Sequence, residues 1–515
     1  MRIVQQAKLV MLVVLSAILG CAAQNPDAEN VVVYSAPDTE KPSDDYQVSV
    51  NGQNVFCYEG EVYDTRFTEG TYFGEKGLPF STVSFAYFDF SGSVTIRIKV
   101  NRNIQSAVVR PLSRNIRPTV TGNVIDFVID KPGSLTIEPD GSEKRVLHLF
   151  ANPIQQKPDI NDSNVIYYGP GSHVVNTIEL KSNQTLFIDG GAVVYFDVFE
   201  NDPVHREESR AVKLQRYDHG ITVDSANNVK IQGRGIADFS RVAEKYGRKN
   251  PIHINNCENV EIEGIILRGA NCWNATIYRS QDVTVDNLKE ISWGYNTDGI
   301  NIVLSRDVLI KNCFMRQRDD GIVMKSMDTG NMDAFITEVP QPETTTSNVL
   351  VEDCVIWSDW GFALGVTYEI RMPVKDITFR NCDIIHATHA NKRQGVLGIL
   401  VADSSTVSNV TFENIVIERS LKPLIKLDQR LTNWTVNKNL GRIHDITFSN
   451  IRYLHGEPQP VIFTAAQGKA SIRDIYLNDL EFLGKKVHMV DDSEFQINEN
   501  VENVFINGAR QSITQ

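Results

Sequence analysis

The sequence lacks a surplus of positive charge, and it is poor in cysteine. Of its 515 residues 51 are Lys or Arg and 64 are Asp or Glu, which gives a formal net charge of −13. Because no basic stripe is available to replace phosphate counterions, a nucleic-acid partner is excluded. The seven cysteines form no CxxC pair and no other metal-ligand spacing, so we predict no metal site and no cofactor. Those beyond Cys21 are expected to be buried free thiols rather than disulfides.

Long apolar segments are also missing, apart from one at the N-terminus. Residues 9–19 are apolar and follow a positively charged start, but this run is too short for a permanent membrane span. It predicts an export signal over residues 1–20. The end of the run, Ile-Leu-Gly-Cys, resembles the lipobox of bacterial lipoproteins, which implies a lipid on Cys21 as the one attachment to a membrane. The alternative is an ordinary signal peptide that is cleaved after Ala22 or Ala23.

The composition of residues 21–45, rich in Asn, Asp, Ser and Pro, predicts a flexible tether behind this anchor. The expected location is therefore that of an exported bacterial lipoprotein, in the outer membrane, at the cell surface or in the periplasm. We expect a monomer.

A six-residue pattern recurs ten times from residue 228 onward and dominates the rest of the chain. It consists of Asn or Asp, then alternating apolar and polar residues, then Asn, Asp or Gly. The copies start at residues 228, 259, 282, 307, 348, 376, 409, 445, 474 and 503. Each is a strand too short to bury a face alone, and the unequal spacing is typical of a solenoid with variable loops. The pattern predicts a right-handed parallel β-helix over residues 156–515, with an asparagine ladder along its turns.

Residues 46–155 have a different pattern and predict a second domain. Alternating strand-like runs at 46–50, 94–100 and 124–129 are separated by polar turns such as Asn51-Gly52. Such spacing favours a small antiparallel β-sandwich. The fold class is thus all-β, a β-helix preceded by a sandwich.

Carboxylates interrupt two neighbouring coils of the predicted β-helix. Asn296-Thr297-Asp298 and Asp319-Asp320 stand about one coil apart, so the three acids should lie on adjacent rungs. Adjacent carboxylates repel, which raises the pKa of at least one of them. Glycoside hydrolysis needs this division between a protonated acid and an ionised base. A calcium site and solvated turn residues are the alternatives, although EF-hand and GGxGxD spacings are absent.

These motifs, with Lys325 after them, resemble the NTD and DD motifs of the polygalacturonase clan, glycoside hydrolase families 28 and 49, which are inverting β-helix enzymes. The resemblance covers roughly residues 160–510. It implies that Asp319 is the general acid and that Asp298 and Asp320 activate water. Because consecutive strand residues point to opposite faces, Asp319 and Asp320 must lie at a turn or bulge to share a cleft.

Two departures from family 28 bear on the substrate. Trp360 stands where that family has a histidine, and the apolar residues 397–401 stand where it has a basic pair for the galacturonate carboxylate. We therefore expect a neutral polysaccharide or oligosaccharide. The N-terminal sandwich favours the dextranase and isopullulanase type of family 49, which cuts α-glucans. The alternative is a pectic or other acidic glycan held by a different anion site, for which the basic candidates are Arg371, Lys375, Arg393 and Lys426.

The remaining candidates for substrate binding surround the acid motifs. Sugars present apolar faces to aromatic rings, and the residues proposed to bind substrate are Asn296, Lys325, Trp293, Tyr295, Trp360 and Tyr368. A packing role is the alternative for each aromatic residue, and Lys325 either lines the cleft or pairs with an aspartate. His386 and His389 are expected to be structural. Two other functions stay open: a β-helix lyase that uses Lys325 among metal-bound aspartates, and a glycan-binding lipoprotein without catalysis.

Overall fold

The structure, a computed structural model, describes residues 30–63, 80–208, 214–244, 247–294, 296–327, 345–390, 393–466, 471–492 and 494–512. The predicted export signal, Cys21 with the first part of the tether, and Tyr295 lie outside the described residues. Within these ranges, no helix has the length and apolar character needed to span a membrane.

The first strands of the described chain form two sheets that face each other. These strands are β1 (Val31–Val33), β2 (Tyr46–Val50), β3 (Gln53–Val55), β4 (Cys57–Tyr63), β5 (Phe80–Phe90), β6 (Val94–Val100), β7 (Ala107–Arg110), β8 (Thr119–Thr121), β9 (Val124–Ile129), β10 (Gly133–Pro139) and β11 (Leu147–Pro153). Strands β1, β4, β5, β7, β10 and β11 form one sheet, and β2, β3, β6, β8 and β9 form the other. Their inner faces share a core that includes Phe88, Ile96 and Leu149.

One pairing in this sandwich contradicts the antiparallel expectation. Strand β11 runs parallel to β5, with Leu147 beside Ser84, so the first sheet is mixed. Between these two strands the chain crosses to the other sheet and returns twice, and such crossover connections allow parallel pairing, which a tight hairpin does not.

Most of the remaining strands wind into a parallel β-helix. The exceptions are Arg206–Glu208, Leu214–Arg216 and Gly247–Arg248, which form a small sheet of their own, and Lys485–Lys486 and Ala509–Arg510, which pair antiparallel with their neighbours. The first half of this region contains β12 (Val165–Tyr168), β13 (Gly171–Val175), β14 (Ile178–Leu180), β15 (Thr185–Ile188), β16 (Ala192–Phe196), β17 (Arg206–Glu208), β18 (Leu214–Arg216), β19 (Ile221–Asp224), β20 (Asn227–Gly233), β21 (Ile236–Asp238), helix α1 (Ser240–Glu244), β22 (Gly247–Arg248), β23 (Ile252–Asn255), β24 (Glu258–Glu263), β25 (Ile266–Arg268), β26 (Ala275–Tyr278), β27 (Gln281–Asp286), β28 (Lys289–Ile291), β29 (Ile300–Val303) and β30 (Arg306–Lys311). Its second half contains β31 (Phe314–Gln317), β32 (Ile322–Ser326), β33 (Thr346–Glu352), β34 (Val355–Ser358), β35 (Leu364–Ile370), β36 (Val374–Arg380), β37 (Asp383–Ala387), β38 (Leu397–Val401), β39 (Val407–Arg419), β40 (Ile425–Gln429), β41 (Ile443–His455), β42 (Val461–Thr464), β43 (Ile472–Asn478), β44 (Glu481–Phe482), β45 (Lys485–Lys486), β46 (Phe495–Ile497), β47 (Val501–Ile506) and β48 (Ala509–Arg510). Short 3-10 turns lie at Leu112–Arg114 and Val490–Asp492.

Each coil contributes strands to two long sheets, which confirms the predicted solenoid. One sheet has the order β14-β19-β23-β26-β29-β32-β35-β38-β40-β42-β46, and we call it the cleft sheet. The other sheet contains the six-residue repeats, and its strands stack so that Val229, Val260, Val283 and Val308 follow one another in register. These apolar side chains point into the interior and form one continuous core.

The backbone conformation explains why each repeat begins and ends with a polar residue or glycine, which the sequence pattern alone did not reveal. In the copy that starts at Asn409, both the first residue and the last, Asn414, have positive φ angles of 52° and 54°. Asn and Asp tolerate this left-handed conformation better than other residues with side chains. The Asn450 amide donates to Asn414 Oδ1 (2.9 Å) and Asn414 donates to Asn381 Oδ1 (3.2 Å), which confirms the asparagine ladder. The six described cysteines are free and buried, as expected.

The sandwich packs against the outer face of the repeat-bearing sheet. Phe150 of the sandwich contacts Phe314 of the β-helix, with ring centroids 5.1 Å apart. Buried ion pairs join the β-helix to the sandwich, through Arg234 and Asp89 (3.0 Å), and to the segment before it, through Arg268 and Glu40 (2.6 Å). Because β1 pairs with β5 and Glu40 is held in this way, the described end of the predicted tether belongs to the folded structure. His386 Nε2 lies 2.5 Å from Glu138 Oε1, so this histidine belongs to the interface, in keeping with a structural role.

Candidate active site

The acid motifs occupy matching positions on two neighbouring coils of the cleft sheet. Ile300 of β29 pairs with Ile322 of β32, and Asp298 and Asp320 each precede these residues by the same number of positions. Asp319 and Asp320 lie in a bend between β31 and β32 rather than within a strand, so both side chains can face the same side. Gly361 lets the next coil approach this bend, because a Cβ at this position would lie 2.3 Å from the Asp320 nitrogen.

The ammonium group of Lys325 lies among three carboxylates. Its Nζ is 3.5 Å from Asp298 Oδ2, 3.7 Å from Asp320 Oδ2 and 3.5 Å from Glu369 Oε2. All four side chains are almost completely buried. Among the described residues, Asp319 is not one of the ion-pair partners of Lys325. The three predicted acids therefore divide into two that touch the ammonium and one that does not.

The pKa values of Asp298 and Asp319 do not follow this division, because burial raises both. Burial raises the pKa of Asp319, and the neighbouring Asp320 carboxylate adds to the effect, so that it reaches about 6. Burial also raises the pKa of Asp298 well above its ordinary value, although the Lys325 ammonium opposes this. Burial lowers the pKa of Lys325, but the carboxylates, Glu369 first, outweigh burial and raise it above its ordinary value. Lys325 therefore stays protonated.

Asp320 is anchored by the next coil. Its Oδ1 accepts a hydrogen bond from the Phe362 backbone N–H (2.9 Å), and its Oδ2 accepts one from the Thr367 hydroxyl (3.0 Å). The Lys422 ammonium, fully buried, donates to the carbonyl oxygen of Gly361 (2.5 Å) and so supports the turn that carries Phe362. A carboxylate held by two donors has little freedom to rotate. The lone pairs that remain free on its oxygens therefore point in fixed directions.

The other predicted substrate-binding residues lie around these acids with different partners. Asn296 has a φ of 51° and accepts a hydrogen bond from Arg248 (3.4 Å), and Trp293 lies partly buried just before it. The ring of Trp360 packs on His389 with centroids 4.0 Å apart, and the Tyr368 ring centroid is 5.7 Å from Lys325 Nζ.

The structure adds two residues that the sequence reasoning missed. Glu369 joins the acid cluster, and the Trp273 ring centroid lies 5.0 Å from Lys325 Nζ. Ala275 and Ile300 are paired on neighbouring strands, and Trp273 precedes Ala275 by the same number of positions as Asp298 precedes Ile300. Counting back by one coil from Asp298 would therefore have found Trp273 in the sequence. Glu369 had no such signal, because it lies in an irregular part of β35.

Three of the four basic candidates for a different anion site are each paired with an aspartate. Arg371 pairs with Asp403 (3.1 Å), Lys375 with Asp376 (3.8 Å) and Lys426 with Asp428 (3.6 Å). Arg393 contributes its carbonyl oxygen to Arg430 (2.9 Å). In the described part of the chain no group of three or more His, Cys, Asp or Glu side chains is arranged to hold a metal ion.

The fold and the acid cluster define a class, the right-handed parallel β-helix proteins of the glycoside hydrolase type. Residues 191–501, more than half of the chain, match glycosyl hydrolases family 28, and the chain belongs to this family. The family match agrees with the first of the two families that the NTD and DD motifs resemble.

Known relatives and structures resemble parts of this chain at low identity. The exopolygalacturonase clone GBGE184 of Arabidopsis thaliana is 25% identical over 205 residues, which cover 39% of this chain and 43% of that protein. The exopolygalacturonase from Thermotoga maritima has a TM-score of 0.50 at 20% identity, over 67% of this chain and 84% of its own. Dex49A from Penicillium minioluteum has a TM-score of 0.60 at 14% identity, over 93% and 96%. At such identities the two structures show the fold alone.

Proposed function

We propose that the protein hydrolyses a pectic polysaccharide that contains galacturonate, with inversion at the anomeric carbon. Membership of family 28 and the names of relatives, polygalacturonases among them, support this substrate class. The observation that carries the mechanism is the position of Lys325, which contacts Asp298 and Asp320 and leaves Asp319 aside.

In the proposed reaction Asp319 is the general acid. With a pKa of about 6 it is protonated in mildly acidic solution and gives its proton to the glycosidic oxygen as the bond to the anomeric carbon breaks. Asp298 and Asp320 receive the proton of a water molecule that attacks the same carbon from the opposite face. The products are two sugar chains, and proton exchange with solvent restores the acids.

The raised pKa of Lys325 argues against the lyase alternative. A lyase would need this amine in its neutral form to remove a proton from the substrate, whereas its carboxylate neighbours favour the ammonium. The proposed role of Lys325 is instead to hold negative charge on Asp298 and Asp320, and contact with the substrate stays a prediction.

A neutral glycan such as an α-glucan is the second candidate. Strand β38 places the uncharged residues Gly398 and Leu400 beside Lys426 and Asp428 of β40. Lys426 and Asp428 form an ion pair with each other. A galacturonate carboxylate would find no charge-assisted contact from β38 itself.

Reducing-sugar release from polygalacturonate, dextran, pullulan and galactan tests both candidates. The comparison uses the wild type, Asp319→Asn, and Asp126→Asn in the sandwich as a matched control. Release from polygalacturonate that is lost only with Asp319→Asn supports the proposal, and release from a neutral polymer alone favours the second candidate. Unsaturated products would indicate a lyase. If no polymer releases reducing sugar, the remaining alternative is a glycan-binding protein without catalysis.

We also propose that the chain is exported and lipidated at Cys21, as its lipobox resemblance implies. Labelling of cells with a radioactive fatty acid should mark the wild type and not Cys21→Ala. Equal labelling of both would contradict the anchor.

A further inference from the structure

Strand β35 contains an irregularity directly opposite Lys325. Met324 of β32 pairs with Val366, and Ser326 pairs with Ile370. One residue of β32, Lys325, is therefore opposite three residues of β35: Thr367, Tyr368 and Glu369. Such a bulge bends the strand and redirects its side chains.

The bulge includes an unusual backbone conformation. Tyr368 has a φ of 60°, in the left-handed region that bulky residues rarely adopt. Backbone strain of this kind persists where the surrounding structure demands it, and it is common at functional sites.

All three bulge residues contact the acid cluster. Thr367 donates to Asp320 Oδ2 (3.0 Å), the Tyr368 ring lies 5.7 Å from Lys325 Nζ, and Glu369 Oε2 lies 3.5 Å from the same atom. In a regular strand, alternate side chains point to opposite faces, so three consecutive residues could not reach one site. The strained bulge is what brings them together.

Glu369 adds a fourth carboxylate to a site that already has three. It is 2% exposed, so its charge is compensated by Lys325 rather than by water. We propose that Glu369 is a positioning residue that holds the Lys325 ammonium between Asp298 and Asp320 while these two exchange protons with water. This inference rests on the proposed hydrolytic function and assigns to Glu369 no contact with substrate.

The charges around Glu369 predict that neutralising Glu369 and neutralising Lys325 have opposite effects on the pKa of the catalytic base. In the described part of the chain, the titratable and charged groups that interact with the cluster are Glu290, Asp298, Arg318, Asp319, Asp320, Tyr368 and Lys422. Arg430 also acts on Tyr368. Neutralising Glu369 removes a negative charge, and Lys325 then acts on Asp298 and Asp320 alone. Neutralising Lys325 removes the positive charge that favours their ionised form.

The pH dependence of kcat/KM tests the proposal with two variants of opposite effect. In Glu369→Gln the acidic limb should move by about one unit to lower pH, and in Lys325→Met by about one unit or more to higher pH. Glu413→Gln, on β39 of the other sheet, is the control and should leave the limb in place. A purely structural role would lower activity without opposite shifts. Shifts of both variants in the same direction, or a Glu369→Gln limb equal to the control, would overturn the proposal.

A measurement without substrate separates this proposal from the hydrolytic function. Burial raises the pKa of Asp298, so folding stability falls as pH rises from its unfolded value to its folded one. Glu369→Gln should reduce this fall between pH 5 and pH 7, and Lys325→Met should increase it, as measured by the thermal midpoint. If the wild type cleaves no polymer, the hydrolytic function fails while this comparison still decides the Glu369–Lys325 pairing. Equal changes at both pH values would refute that pairing.

Discussion

The buried Lys422, near the acid cluster, allows a test of how a lowered lysine pKa changes folding stability with pH. Its ammonium donates to Ser358 Oγ (2.9 Å), Trp360 O (3.3 Å) and Gly361 O (2.5 Å), all of them neutral oxygens. Burial lowers the pKa of this lysine from 10.5 to about 7, and the carboxylates of Asp359, Asp320 and Asp319 offset only part of this effect. Replacement by Met removes the charge and keeps a side chain of similar length.

The magnitude follows from the difference between the two pKa values. Above pH 10.5 the lysine is neutral in both the folded and unfolded states, and below about pH 7 it is charged in both. Between these values only the unfolded state binds the proton, so the wild type loses stability as pH falls. At about 1.4 kcal/mol per pH unit, the loss between pH 10 and pH 7 is about 4 kcal/mol. Lys422→Met should not show this loss.

Chemical unfolding of both proteins at pH 7, 8, 9 and 10 measures this difference. The lost hydrogen bonds of Lys422→Met lower its stability by an amount that does not depend on pH, so the slope with pH is the test. Lys375→Met, at an exposed position of β36, is the matched control for the loss of a lysine side chain. A constant difference between wild type and Lys422→Met across this range would refute the reasoning.

Four further outcomes are expected. Asp319→Asn should lower kcat by a factor of about 10² to 10⁴ in a reducing-sugar assay, since it cannot protonate the leaving oxygen, and a loss below tenfold would contradict its role as the acid. In the wild type, kcat/KM should fall about tenfold per pH unit above about pH 6, where Asp319 loses its proton, and a profile flat to pH 8 would disagree. Asn414→Ala should lower the unfolding free energy by about 2 kcal/mol, because it removes two ladder hydrogen bonds and puts Ala at a φ of 54°; an unchanged thermal midpoint would argue against the ladder. Arg234→Met should cost about 3 to 5 kcal/mol by leaving Asp89 buried without its partner, and a variant as stable as wild type would show that this pair is dispensable.

The local sequence pattern was sufficient to predict most of the β-helix. Alternation in each six-residue repeat depends only on neighbouring residues, and it predicted which side chains, such as Val283, point inward. The polar residues at the repeat ends also predicted the ladder, although their φ angles were found only in the structure. The antiparallel expectation for the sandwich failed at the β5–β11 pair, since the direction of pairing depends on the path of the chain between distant strands.

The sequence by itself determined that Asp298, Asp319 and Asp320 stand on adjacent coils, because the spacing of the motifs matches one turn of the solenoid. Only the tertiary structure decided which groups surround them. Glu369 reaches Lys325 through a bulge, and Lys422 supports the Asp320 site from a later coil. Both contacts depend on registers between strands that variable loops separate, and such registers are set by the packing of the whole helix rather than by any local pattern.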